Sequence, residues 1–225
     1  MKPWIPQLLS LNAGYVDTAG FMALQGLFTA HVTGNFVTLG AALVQGSSGV
    51  VAKLLALPVF CAVIVLARVA TASMNAPGGA PVRAMMAAKL VLLTLGAILA
   101  IALGPFTHGD SLGAIATGMV LVAAMAIQNT LSRAHLATSP PTTLMTGSTT
   151  QLMIDVADLL RGAGGDAAAA TRARLRKTSA VIAVFAVGCA LGAVAFHFLA
   201  TWCFAVPPLV ALVATIDALA SPPQA

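Results

Sequence analysis

Thr33-Gly34-Asn35 and Thr146-Gly147-Ser148 are the residues of this chain best suited to hold something, because each triplet places polar side chains and bare backbone inside an otherwise apolar sequence, hydroxyl and amide in the first and two hydroxyls in the second. The first lies behind His31 in HVTGNFVTLGAAL, 31–43, and the second in LMTGSTTQLMIDV, 144–156. They are 113 residues apart (146 − 33), half of the 225-residue chain, and Leu39 recurs in the same register as Leu152. A short helix with a polar start in each half is how duplicated membrane proteins build a central site. Its free N–H groups and positive dipole end accept a partner, glycine lets a ligand or another backbone come close, and threonine caps or coordinates. The competing reading gives the glycines to helix packing and the threonines to capping alone.

Other polar residues join this set. Asp17 falls roughly 16 Å along the first apolar stretch, near the midplane of a bilayer, where an ionisable group costs about 2.5 to 3.5 kcal/mol on insertion scales and must face protein or water. Gln128-Asn129 closes the fourth apolar stretch, and Ser148, Gln151, Asp155 and Asp158 form a stripe at helical spacing after the second motif. Asp158 is spaced to pair with Arg161, which leaves Asp155 as the functional carboxylate of the stripe. The candidate solute-site residues are therefore Asp17, His31, Thr33, Gly34, Asn35, Gln128, Asn129, Thr146, Gly147, Ser148 and Asp155. No catalytic set, metal site or cofactor is expected: His31, His108, His135 and His197 have no metal-ligand spacing, and neither a GxSxG motif nor a P-loop occurs.

The elements that must position these residues follow from composition. With 59% hydrophobic and 8% charged residues and a mean hydropathy of +0.97, the chain has too little polar surface for a soluble domain. Eleven Lys and Arg face six Asp and no Glu, and these cations gather in short loops, so a membrane is expected and nucleic acid is not. Cys61, Cys189 and Cys203 sit in apolar runs and read as small core residues. Spans are predicted at 5–27 (uncleaved), 50–73 with Pro58 inside, 84–103, 111–132, 178–199 with Gly188-xxx-Gly192 as a packing signal, and 204–220. Residues 162–177 read as a flexible, then basic, aqueous segment.

Two topologies compete. If the short helices at 33 and 146 cross the membrane, the cations divide seven to four between its sides. If both are re-entrant, ten cations share one side and Lys53 alone lies opposite. Ten to one fits the positive-inside rule far better. The expected fold is an all-α integral membrane protein, one membrane domain over 1–225, with six transmembrane helices, two re-entrant helices and both termini cytoplasmic. Three spans per half, 5–104 and 111–220, make the second half inverted relative to the first, a 3+3 repeat.

The segments GYVDTAGF around Asp17, FTAHVTGNFVTLG, AIQNT and PTTLMTG resemble the YoaK-like family of bacterial membrane proteins, a family of unknown function, over essentially the whole chain. That resemblance implies an inner-membrane location and about six spans. It brings no substrate. The leading functional expectation, drawn from the residues, is a small secondary transporter or channel-like permease. Its alternatives are a non-transporting assembly or regulatory partner, and an intramembrane enzyme using Asp17 and His31 as acid and base. Expected partners are membrane lipid, an unidentified small solute and, optionally, a second copy in a homo-oligomer.

Overall fold

The computed structural model describes residues 4–72, 74, 79–136, 139–143, 145–162 and 164–220. Among the described residues the chain is helical, without strands. The order is α1 (Ile5–Ala23), a 3-10 turn (Val32–Gly34) running into α2 (Asn35–Gln45), α3 (Val50–Ala72), α4 (Ala80–Leu103), α5 (Leu112–His135), α6 (Met145–Leu160), α7 (Gly165–Leu199), a second 3-10 turn (Ala200–Ala205) and α8 (Val206–Ala220). Segments 50–72, 80–103, 112–135 and 165–220 are long and apolar enough to cross a membrane, which marks a membrane-embedded protein. Large apolar side chains such as Leu66, Val69, Val91, Val194 and Phe198 point outward from these segments, as a hydrocarbon solvent requires. The polar residues of α1 and α5 are turned inward instead.

Helix ends match the expected spans to within a few residues, with one substantial difference. Residues 162–177, expected as an aqueous loop, are helical from Gly165 and continue without a break into the predicted fifth span. The physical reason is local: Ala167–Ala170 and the following Arg, Leu and Lys are strong helix formers, Asp166 complements the dipole in the first turn, and Ala168 is buried.

α1 is held most closely by α7. A Cβ on Gly14 would run into the carbonyl of Phe185, one on Gly188 into the carbonyl of Leu11, and one on Gly192 would meet the carbonyl of Tyr15 at 2.6 Å. Small residues thus bring two backbones together where lipid supplies no hydrophobic drive for association. Ser10 Oγ adds a hydrogen bond to Val181 O at 2.9 Å, and Tyr15 donates to Cys203 O at 2.9 Å. The helix pairings have a pattern. α1 packs on α7 as α5 packs on α3, α4 on α5 as α8 on α1, α2 on α3 as α6 on α7, and α1–α5 and α4–α8 also touch. Exchanging α1–α4 for α5–α8 leaves this set unchanged.

One end of the molecule is tied by a carboxylate. Asp110, in the connection between α4 and α5, accepts from Gly49 N (2.9 Å) and Val50 N (3.0 Å) through Oδ2, and from Val51 N (2.8 Å) and Ala52 N (3.2 Å) through Oδ1. Those are the orphan donors of the α3 N-terminus, all answered by one residue. Beside it Lys53 Nζ donates to Gln25 O at 2.8 Å and Ser48 O at 3.1 Å, so the end of α1 and the start of α3 lie at the same level. Partial burial pushes the Asp110 carboxyl up, but the four backbone donors outweigh it and hold it below the usual carboxylate range. A depressed folded-state pKa gives stability that is present above the unfolded value of about 3.9 and is lost as pH falls through the folded one. Asp110→Ala is expected to cost on the order of 2 kcal/mol at neutral pH. Its deficit against wild type should shrink on acidification, as thermal unfolding in detergent across pH would record; a constant deficit would mean the charge contributes nothing.

Candidate functional site

Asp17 is 5% exposed on α1 and does not stand free. Its Oδ1 accepts from Thr29 N and Ala30 N, both at 2.7 Å, and more weakly from His31 N and Thr29 Oγ1, each at 3.4 Å. Three successive backbone donors converge on one oxygen, so the chain after α1 folds back to the level of Asp17 before α2 begins. Asn35 closes the same turn, accepting from Phe28 N at 2.9 Å and donating to Phe28 O at 2.8 Å. Phe21, Phe28 and His31 stack in sequence, with ring centroids 4.7 and 5.5 Å apart.

The second half repeats the device with different residues. Asn129 Oδ1 accepts from Thr143 Oγ1 at 2.7 Å, and Gln128 Nε2 donates to Thr142 Oγ1 at 3.0 Å and to Leu9 O of α1 at 2.9 Å. Thr142 and Thr143 stand 113 residues after Thr29 and Ala30, and Asn129 stands 112 after Asp17 (129 − 17). A buried side-chain oxygen on α1, and another on α5, therefore pins the segment ahead of the following short helix.

Between the two pinned segments lies a cavity of about 500 Å³. Asp17, His31 and Thr33 line it from the first half, and Thr143, Thr146 and Gly147 from the second, with aromatic walls at Phe21, Phe28 and Phe185 and a thiol at Cys189. The structure thus brings together five of the sequence-derived candidates: Asp17, His31, Thr33, Thr146 and Gly147. Gln128 and Asn129 stand behind the wall as supports for Thr142 and Thr143. Asn35 belongs to the turn at Phe28, and Gly34 packs under the Phe28 ring. Ser148 faces a neighbouring cavity of about 560 Å³.

Asp155 lies apart from the central cavity, 1% exposed on α6. Arg174 of α7 grips it with Nε to Oδ2 at 2.8 Å and Nη2 to Oδ1 at 2.6 Å, and Gln151 Nε2 donates to Oδ1 at 2.9 Å. Among the described residues the ion pair of the polar stripe is therefore at Asp155, nineteen residues from its partner, and not between Asp158 and Arg161 three residues on.

Lys89 lies inside the predicted third span, 84–103, and is one of the ten cations counted on one side. It is 1% exposed in α4, and among the described residues its Nζ has no hydrogen-bond partner. Gly96 of α4 lies against Leu121 of α5, so two helical turns away Lys89 is level with Gln128, whose Oε1 is also without a partner among the described residues. The signal available in the sequence was the lone charge inside MMAAKLVLLT, nine residues into the helix. Replacing a buried amine that has no partner by an apolar isostere removes its desolvation cost. Lys89→Met is expected to stabilise the protein by about 1 kcal/mol or more, seen as a higher unfolding temperature in detergent, and a lower one would contradict the unpaired assignment.

The family model described as "Protein of unknown function (DUF1275)" matches residues 5–216. No curated protein and no solved structure matches the chain. With its apolar helices, its pair of pinned Thr-Gly segments and a match over nearly its whole length, the chain belongs to the DUF1275 family of proteins of unknown function.

Proposed function

We propose that this protein is a small secondary transporter or channel-like permease whose solute site is the cavity between the two Thr-Gly segments. The observation that carries the reading is that residues 113 apart in sequence, Thr33 and Thr146, line one cavity together with His31 and a buried aspartate. Hydroxyls and an imidazole among phenylalanine walls suit a small polar solute.

The six-span, inverted 3+3 arrangement belongs to the same proposal. In support, α1 ends where α3 begins, at Lys53 and Gln25, so the chain between them, α2 included, leaves one face and returns to it. Likewise Arg133 of α5 and Lys177 of α7 line one cavity, so α6 returns to the opposite face. α6 runs from Thr146, in the central cavity near Phe185, outward to Asp155 at Arg174. Helix pairings that survive exchange of the halves are what a two-fold related duplication would produce. The YoaK-like resemblance of the motifs and a bacterial inner-membrane location fit this reading.

The test is permeation. Proteoliposomes presented with a panel of small neutral and ionic solutes should show protein-dependent entry of at least one class by stopped-flow light scattering, and cavity-filling Thr146→Trp should abolish it. A panel without protein-dependent entry, or entry indifferent to Thr146→Trp, overturns the proposal. For the topology, cysteines at Ser47 and Arg172 should label from opposite sides, and labelling from one side would remove the re-entrant helices.

A further inference from the structure

The second cavity, of about 560 Å³, lies at the end of the molecule that carries most of the cations. Its walls are the last turn of α5, the segment at Pro140 and Pro141, the start of α6 and the lower part of α7. Among the described residues three cationic side chains line it, Arg133, Arg174 and Lys177, and no acidic residue does. The hydroxyls of Ser139 and Thr178 stand among them.

One of these cations, Arg174, is more than a solvated fringe. Arg174 is 51% exposed, yet its guanidinium is fixed in a fork by Asp155, which is 1% exposed and itself held by Gln151. The Nε and Nη2 groups are committed to that buried carboxylate, which fixes the plane of a guanidinium that also lines the cavity. Among the described residues Arg133 and Lys177 have no such neutralising neighbour on the cavity wall. Gly147 is shared with the central cavity, and a Cβ there would meet nothing within 4 Å, so the two spaces adjoin at a bare stretch of backbone.

We propose that this cavity is a binding site for a phosphate group. A planar, pre-oriented guanidinium matches two phosphate oxygens, a lysine supplies a point charge, and hydroxyls complete the donor set. Basic pockets between helices on the cytoplasmic side take phospholipid headgroups by the same chemistry that would take a free phosphorylated solute. The site stands independently of transport.

The full chain in phosphatidylcholine nanodiscs tests it. Inorganic phosphate, titrated at constant ionic strength, should raise the unfolding temperature saturably if the source is a free phosphate. Phosphatidylglycerol retained in native mass spectra from mixed-lipid nanodiscs would identify a headgroup as the source instead. In either arm Arg133→Gln combined with Lys177→Gln should weaken binding by about tenfold or more, the scale of lost charge-assisted hydrogen bonds. Arg172→Gln with Arg176→Gln removes the same charge from exposed positions of α7 off the cavity wall and should leave binding unchanged. Failure of both probes to bind, or equal loss in the two double variants, overturns the site. Binding without any solute flux would leave it standing while removing the permease reading.

Discussion

Asp17→Leu is expected to leave no folded protein to extract from membranes, whereas Asp17→Asn is expected to accumulate at the wild-type level. The difference lies in one oxygen. Leucine strands the buried N–H groups of Thr29 and Ala30 and weakens the hold on His31, at about 1 to 3 kcal/mol for each unsatisfied donor, against a total stability of only about 5 to 15 kcal/mol. Asparagine keeps the acceptor, and at the corresponding place in the second half an amide oxygen, that of Asn129, accepts from the Thr143 hydroxyl. Yield and monodispersity after detergent extraction read the outcome. If the leucine variant is recovered as well as the asparagine one, the clasp is dispensable. Where a permeating solute has been found, the Asn variant further separates roles: transport that keeps its pH dependence makes Asp17 a positioning residue without a proton to exchange.

The second large effect is expected at the α1–α7 crossing. Gly188→Leu drives a branched side chain into the Leu11 backbone, and backbone cannot yield as a flexible side chain does. With Gly14 and Gly192 setting the same close approach, the helices must separate along their length, a loss of about 4 kcal/mol or more. Gly40→Leu, on α2 where a Cβ meets nothing within 4 Å, is the matched control and should be tolerated. Equal yields from the two variants would mean that the crossing is not held by backbone proximity.

These two effects differ in how much of them the sequence carries. The depth of Asp17 in an apolar run announced that it must be satisfied, and the 113-residue offset singled out Thr33 and Thr146, which line one cavity; both inferences need only local pattern and a count. Gly188-xxx-Gly192 likewise declares a packing face, although only the structure names α1 as its partner. What escaped is non-local. Asp155 finds Arg174 and Asp110 finds the α3 N-terminus through tertiary folding, while helical spacing offered Arg161 to Asp158 as the nearer pair. The start of α7 escaped for another reason: glycines at 162, 164 and 165 suggest a loop, yet the alanine run behind them has the propensity to join the next span. Lys89 entered the charge count as one of ten cations although it lies inside the predicted third span, and a rule that only counts does not register its burial.

Thiol accessibility at the two Thr-Gly segments tests the central claim most directly. In a background lacking Cys61, Cys189 and Cys203, Thr33→Cys and Thr146→Cys are each exposed to a small membrane-impermeant thiol reagent in right-side-out and in inside-out vesicles. A cavity that serves as a permeation site opens to both sides during its cycle, so each cysteine is predicted to react in both vesicle orientations. Reaction of both cysteines from one and the same side only, or of neither from any side, would contradict it.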